Sequence, residues 1–290
     1  MTEPGFIRLN VRAMLGRSYP RIVGGTRELS WIFFETVLPL LSIAAYVFIY
    51  KAFLPEDPSQ ITQTMLDRVN ALIGYVVIGG TMTAFWLNVL WSMASQLYWE
   101  KEVGNLQLYM MAPMSRMALL GGMAVGGMVM TSTRAITTLV VGVWIFGIVL
   151  AFGNPLLILA VFFVTLIALY GMGMMFASLY LLYGREAWNL SALMEEPIFL
   201  LSGFYFPVKA LGQAVAIGAS IIPATLGLDA LRQLMFSASG FGTQFYFFSP
   251  ELELGVLCVL AVLFLALAKL SLGYLETLAK KEGRLTTRHQ

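Results

Sequence analysis

Six long apolar stretches, separated by short polar joints, constrain the fold of this chain more than any other feature. The stretches cover residues 29–53, 69–93, 117–150, 156–183, 190–208 and 252–275. Each is close to or above the roughly 20 residues that a helix needs to cross a bilayer. Only 12% of the residues are charged and 59% are hydrophobic, which leaves too little charge to cover a soluble domain of this size. Outer-membrane strands are shorter and alternate in polarity. The predicted fold class is therefore all-α, a polytopic membrane protein with six transmembrane helices.

Lys and Arg near the ends of the stretches predict the orientation of the chain. They are concentrated before the first stretch, after the second and fourth, and in the tail 279–290, which places both termini in the cytoplasm. We therefore expect a multi-pass protein of the cytoplasmic membrane, with its permease domain over 29–278. An even number of crossings requires the broken apolar region 211–236 to form a re-entrant helical hairpin in the outer leaflet. Irregular backbone at membrane depth is tolerated where protein buries it.

Residues 1–28 are predicted to form an amphipathic helix in the cytoplasmic interface. The apolar residues recur at helical spacing, and Arg8 and Arg12 share another face that suits anionic lipid. Pro20 and the glycines at 24–25 are expected to end this helix and turn the chain into the membrane. Two roles remain open for it: a plain lipid anchor, or a lever that also touches a cytoplasmic partner.

The joint between the second and third stretches carries the sharpest local signal. It reads QLYWEKEVGNLQLYMMAPMSRMALLGG. Leu106, Tyr109 and Met110 recur at spacings of three and four, so the segment 97–111 is predicted to be a helix with one apolar edge, which Pro113 ends. A short amphipathic helix at the membrane surface offers a knob for the groove of a soluble protein. The alternative is a solvated loop that only connects two spans.

This joint resembles the coupling-helix signature of the type-2 permease class of ATP-binding-cassette transporters. The matching residues are Glu100, Lys101, Glu102, Val103, Gly104, Asn105, Leu106 and Gln107, followed by Ala112, Pro113, Met114, Ser115 and Arg116. Asn105 stands where the family usually has Thr, and Gln107 where it has an acid. The run LSGFYFPVKAL at 201–211 and the run IIPATLGLDALRQLMF at 221–236 are similar to a second pattern of the family, a Ser-Gly-x-x-Phe-Pro turn and a Pro-x-Thr element that ends in Arg.

The resemblance implies the permease subunit of an ATP-driven exporter for a hydrophobic or amphipathic substrate, drug-like, lipid or glycolipid. It implies two kinds of partner: an ATP-binding-cassette ATPase subunit, which binds ATP and Mg, and a second permease copy or a homologous permease. The sequence contains no G-x-x-x-x-G-K-[ST] loop, so we expect no cofactor and no enzyme activity in this chain. The residues expected to couple to the ATPase are Glu100, Lys101, Glu102, Gly104, Leu106 and Tyr109. The residues expected at an outer gate in or beside the hairpin are Phe206, Pro207, Pro223 and Arg232.

Four ionisable residues inside the predicted spans are candidates for the transport pathway. They are Glu35, Arg134, Glu195 and Glu196. Charge at membrane depth is costly, so each is a functional candidate, either as a substrate or proton site, as an ion pair that fixes helix packing, or as a group reached by water. An ion-coupled secondary transporter using these residues is therefore an alternative function. A membrane enzyme is a further rival, but one His and one Cys leave no clustered ligands for a metal centre.

Overall fold

Every regular element among the described residues is a helix, which confirms the predicted all-α fold class. The computed structural model describes residues 4–27, 29–148, 150, 152–183, 186–236 and 248–281. Most of the predicted tail 279–290 lies outside this part of the chain, as does the side chain of Glu35. The described α-helices are α1 Pro4–Arg27, α2 Leu29–Ala52, α3 Gln63–Leu87, α4 Gln96–Val103, α5 Asn105–Met111, α6 Arg116–Phe146, α7 Pro155–Tyr183, α8 Ala187–Ser202, α9 Gln213–Ala219, α10 Pro223–Met235 and α11 Pro250–Lys281.

The helix α3 lies at the centre of the subunit, and the chain remains helical after its last residue, Leu87. A π-helical segment, Asn88–Met93, joins it to α4, so that one helix of 41 residues runs over Gln63–Val103. It packs against α2, α6, α7 and α10, and most of its apolar part is buried. The predicted span 69–93 is thus continuous with the start of the predicted coupling segment.

The close contact between α3 and the chain after α8 depends on a glycine. A Cβ atom at Gly79 would lie 1.4 Å from the carbonyl oxygen of Phe204, far inside the distance that any side chain permits. Backbone and backbone therefore meet here without an intervening side chain. This contact fixes the end of α8 against the middle of α3.

The N-terminal helix α1 is longer than its Pro suggests, because it is packed along α6. The helix passes through Pro20 and the glycines at 24–25 and ends only at Arg27, so the expectation that these residues end it is wrong. The backbone of α6 has no side chains at Gly122 and Gly126, where a Cβ would lie 2.5 Å from the Met14 carbonyl oxygen and 3.1 Å from the Ser18 carbonyl oxygen. Contacts on both sides of Pro20 hold the helix in place despite the backbone hydrogen bond that proline removes.

Helices long and apolar enough to cross a membrane are present, although their number does not test the predicted six. Among the described residues, four helical segments are long and apolar enough to cross a membrane: Gln63–Val103, Arg116–Phe146, Pro155–Tyr180 and Pro250–Tyr274. The helices α9 and α10 are long and apolar enough when taken together, but the chain bends by 112° at the break between them. Val37–Ala52 is a shorter apolar helix. The chain is a multi-pass membrane protein. The count of six and the re-entrant hairpin stay predictions.

Candidate functional site

The predicted coupling segment is divided into two short helices at Gly104. This residue has φ +90° and forms the junction between α4 and α5. Glycine adopts this left-handed conformation without the steric cost that a Cβ adds. The single helix predicted over 97–111 is therefore a final turn of the long central helix followed by a separate helix α5 that changes direction.

Most of the residues predicted to contact an ATPase face the interior of this subunit. Glu100, Lys101 and Leu106 are buried, and Glu102 and Tyr109 are half-buried. Leu106 packs with Tyr109 in a small apolar cluster under α5, which also contains Leu97, Met110, Leu119, Leu120 and Leu272. These side chains set the position of the segment on the subunit.

A second apolar edge of the coupling segment is open to the outside. Val103, Leu108 and Met111 are 68%, 62% and 75% exposed, and we call these three residues the apolar knob. Leu108 and Met111 are three residues apart and so share one face of α5. The sequence shows this spacing as clearly as it shows the inner edge, and we did not single it out because periodicity alone does not tell which apolar edge is buried.

Glu100 connects the coupling segment to the N-terminal helix. Its Oε1 accepts a hydrogen bond from Arg17 Nη2 in a partly buried ion pair and another from Gln96 Nε2 at 3.3 Å. Its Oε2 accepts from Asn105 Nδ2 at 3.1 Å. The Arg17 guanidinium also lies 5.7 Å from the ring centroid of Tyr109. Burial raises the pKa of Tyr109, the Arg17 charge opposes that rise and the Glu100 charge adds to it, so this phenol is neutral at physiological pH.

Two further contacts fasten α1 to the same region. Arg21 donates to Gln96 Oε1 at 2.5 Å and to Ser92 Oγ. Near the other end of α1, Asn10 Oδ1 accepts from the backbone N–H of Ser115 at 2.7 Å. Burial lowers the pKa of Arg21, but an arginine remains charged. α1 therefore bridges the central helix, the coupling segment and the start of α6.

A groove lies between α2, the central helix and α8. The half nearer the coupling segment, which we call the inner half, has a volume of about 730 Å³, and the other half, which we call the outer half, has a volume of about 490 Å³. The two halves share Leu38, Pro39, Ala84, Leu87 and Glu195. The inner half is also lined by Arg21, Asn88, Trp91, Ser92, Ser95, Gln96, Trp99, Met130 and Arg134. The outer half is also lined by Ser42, Tyr46, Thr83, Glu196, Phe199, Leu200, Tyr205 and Phe206.

The π-helical segment forms part of the groove wall. Asn88, Trp91 and Ser92 all belong to it and all line the inner half. The Tyr170 hydroxyl donates to Asn88 Oδ1 at 2.9 Å, and Trp91 Nε1 donates to Glu195 Oε2 at 2.9 Å. Segments of π-helix occur often at functional sites, because the wider turn re-aims side chains. The sequence contains no signal for it that we recognise.

Three of the four predicted intramembrane charges meet in this groove. Arg134 and Glu195 line the inner half together, and Glu195 and Glu196 line the outer half. Glu195 is partly buried against Trp91, whereas Glu196 is exposed. The roles of these three residues in transport stay predictions. The aromatic wall around them was not predicted.

The four residues expected at an outer gate lie in different surroundings. Phe206 lines the outer half of the groove, Pro207 is buried beside it, and Pro223 is the buried first residue of α10. Arg232 is only 1% exposed and lies inside the subunit. Its Nη1 donates to the Gly203 carbonyl at 2.9 Å, and its Nη2 donates to the Tyr75 and Phe204 carbonyls at 2.8 Å each. Arg232 of α10 therefore holds the chain after α8 against α3, and we call these contacts the Arg232 clamp.

No group of three or more His, Cys, Asp or Glu suited to a metal ion occurs in the described part of the chain. The arrangement instead combines a groove with a short helical segment, and one continuous helix over Gln63–Val103 joins the two. Such an arrangement suits the movement of a ligand across a bilayer in response to an event at the membrane surface.

Comparison with known proteins agrees with this reading. A search of curated proteins found no match to the chain. The sequence model of the ABC-2 type transporter family matches residues 10–236, a range that includes most of α1 and all of the coupling segment, the groove and the Arg232 clamp. The chain therefore belongs to the ABC-2 type transporter family and is a permease of that family.

Proposed function

We propose that this permease is the membrane subunit of an ATP-driven exporter, with the groove as its transport pathway and the apolar knob as its ATPase contact. The observation that carries the proposal is the continuous helix over Gln63–Val103. Its cytoplasmic end holds Val103, a member of the knob, and its π-helical segment lines the groove. A displacement of Val103 therefore moves the groove wall through one continuous helix, and the turn at Gly104 joins Leu108 and Met111 to it.

The expected mechanism is alternating access. ATP binding closes two partner ATPase subunits, which bind ATP and Mg, and the knob transmits the closure to the central helix. A hydrophobic or amphipathic substrate, drug-like, lipid or glycolipid, then moves outwards between two permease copies or a permease and its homologue. The apolar lining at Leu38, Ala84 and Leu87 favours such a substrate over a free sugar.

The proposed topology has six spans in the cytoplasmic membrane, both termini in the cytoplasm and a re-entrant hairpin at 211–236. The sharp bend of 112° between α9 and α10 supports the hairpin, because a straight crossing needs no such bend. The same topology places the apolar knob on the cytoplasmic side, where an ATPase subunit can reach it.

Thiol labelling tests this topology. In a Cys258→Ser background, Lys209→Cys and Ser239→Cys should both react with a membrane-impermeant maleimide added outside intact cells. Arg12→Cys is the control, since α1 is expected in the cytoplasm and should react only after permeabilisation. Labelling of the variants at 209 and 239 from opposite sides would replace the hairpin with a full crossing.

The ATPase contact is tested by placing a charge on the apolar knob. Leu108→Asp should lower the amount of ATPase subunit that co-purifies with the permease, and the associated ATP hydrolysis, by at least about tenfold. Burying a leucine in a partner groove contributes about 1.5–3 kcal/mol, and roughly 1.4 kcal/mol corresponds to tenfold in affinity. The matched control is Gln107→Asp, which adds the same carboxylate at the neighbouring exposed position.

Three outcomes would contradict this proposal. Equal ATPase association in both variants would remove the knob as the contact. Equal loss in both would show a general effect of charge rather than an apolar contact. Transport by the reconstituted permease alone, driven by an imposed proton or sodium gradient, would favour the ion-coupled alternative.

A further inference from the structure

The two halves of the groove carry opposite charge. The inner half is lined by Arg21, Arg134 and the shared Glu195 and is net positive, whereas the described lining of the outer half contains Glu195, Glu196 and no Lys, Arg or His. Carboxylates at membrane depth are costly unless a cation compensates them. The outer half of the groove is therefore a cavity of about 490 Å³ with an unbalanced negative lining.

Glu195 is held in place while part of its carboxylate remains free to interact. Trp91 Nε1 donates to Oε2 at 2.9 Å, and no other hydrogen bond to this side chain occurs among the described residues. Glu196 follows on the next position of α8, which is about 100° further round the helix. Pro197 lies directly after it within α8. Both carboxylates border the same cavity, one oriented by tryptophan and the other exposed.

Aromatic side chains form part of the outer wall, and three of them are stacked. The rings of Tyr46 and Tyr205 are stacked with centroids 4.2 Å apart, and those of Phe199 and Tyr205 with centroids 6.2 Å apart. The Tyr205 carbonyl accepts a hydrogen bond from the Tyr50 hydroxyl at 2.8 Å, which ties this stack to α2. Aromatic faces attract cations through their quadrupole, and such attraction strengthens when water is excluded.

We propose that the outer half of the groove binds the charged group of a lipophilic organic cation, with Glu195 and Glu196 as counter-ions and the Tyr46–Tyr205 stack as a cation–π surface. The arginines repel a cation from the inner half, so the charged group lies outwards and the apolar part lies along Leu38 and Leu87. This names a substrate class within the proposed function and rests on it only for transport, since binding needs no ATPase.

The test uses a pair of ions of almost equal size and opposite charge. The full chain in nanodiscs of neutral lipid should bind tetraphenylphosphonium saturably in a scintillation proximity assay, and should bind tetraphenylborate at least about tenfold more weakly. The double variant Glu195→Gln/Glu196→Gln should weaken tetraphenylphosphonium binding by at least about tenfold, since about 1.4 kcal/mol corresponds to tenfold. Glu186→Gln, an exposed position just before α8, is the matched control and should bind as the wild type does.

A second pair of variants tests the aromatic wall without changing the charge. Tyr46→Phe keeps the ring and should bind tetraphenylphosphonium within about twofold of the wild type, whereas Tyr46→Leu should bind it at least about threefold more weakly. If the double Gln variant does not fold, its melting temperature without ligand will show this. In that case the two Tyr46 variants and the comparison with tetraphenylborate still test the cation site.

The outcomes separate this inference from the proposed function. Equal binding of the two ions, or unchanged tetraphenylphosphonium binding in the double Gln variant, would overturn the cation site even if an ATPase associates with the permease. Charge-selective binding that needs Glu195, Glu196 and the Tyr46 ring would support the site even if no ATPase associates, in which case only the proposal of ATP-driven export fails.

Discussion

Replacing Arg232 with Met is expected to destabilise the folded permease strongly. The substitution keeps a long, flexible side chain but removes the donors to the Gly203, Tyr75 and Phe204 carbonyls. Hydrogen bonds to charged groups contribute roughly 1.5–3 kcal/mol each. The loss of three amounts to about 4 kcal/mol or more, compared with a total stability of about 5–15 kcal/mol for a typical domain.

The reason for so large an effect is the position of Arg232 at the junction of three parts of the chain. The Gly203 and Phe204 carbonyls lie at the end of α8, where the helix leaves its last carbonyls without internal partners, and the Tyr75 carbonyl belongs to α3. The guanidinium also lies 4.7 Å from the ring centroid of Tyr75. In the absence of the guanidinium, buried carbonyls are left without these donors in an apolar interior, which is costly.

Detergent-solubilised protein provides the measurement. Arg232→Met should lower the melting temperature by about 8–16 °C, at about 2–4 °C for each kcal/mol, and should reduce the monodisperse fraction in size-exclusion chromatography. Arg232→Lys retains the charge but not the planar fork of donors, so its melting temperature should lie between those of the wild type and Arg232→Met. The matched control Arg68→Met removes an exposed arginine from α3 and should change the melting temperature by less than about 2 °C. A wild-type melting temperature for Arg232→Met would show that the clamp is dispensable.

Arg232 also illustrates where sequence reasoning about this chain stops. The sequence shows an arginine in a broken apolar region, and that pattern suits a gate as well as a clamp. Its role depends on the carbonyls of Gly203 and Phe204, which are about 30 residues away in the chain and meet α3 only because Gly79 has no side chain. The spacing of residues within one helix does not show which carbonyls from other parts of the chain pack against it.

The sequence predicted more of the coupling segment than of the Arg232 contacts. Its position, its helical character and the apolar edge at Leu106 follow from periodicity and turn residues, and the family match covers it. The turn at Gly104 was not predicted, since a glycine is tolerated within a helix as well as at its end. The exposed edge at Leu108 and Met111 was not predicted either, because both edges of α5 are apolar.

The groove was predictable only as a set of candidate charges. The cost of charge inside a span identified Arg134, Glu195 and Glu196, and all three line the cavity. The sequence did not indicate that Trp91 orients Glu195 or that Tyr46 and Tyr205 stack opposite it. These contacts join α8 to the π-helical segment and to α2, and they depend on how separate helices pack against one another.

Reversing the charge of Arg17 is expected to uncouple ATP hydrolysis from transport. Arg17→Glu places a second carboxylate beside Glu100, which is only 8% exposed, and breaks the link between α1 and the coupling segment. Removing one partner of a fully buried pair costs about 3–5 kcal/mol, and we expect a smaller cost for this partly buried pair. In proteoliposomes with the ATPase subunit, the amount of substrate transported per ATP hydrolysed should fall at least about tenfold, because the knob then moves without moving α1.

A charge exchange distinguishes a specific pair from a general effect of charge. Glu100→Arg alone should impair coupling as Arg17→Glu does, and the double variant should recover most of it. The amide of Asn105, which donates to Glu100 in the wild type, can rotate to present its oxygen to an arginine at position 100. The control is Arg12→Glu, the same reversal at an exposed position of α1, which should leave coupling within about twofold. If the double variant is no better than the single ones, or if Arg12→Glu is as damaging as Arg17→Glu, the ion pair does not transmit the motion, and α1 acts only as a membrane anchor.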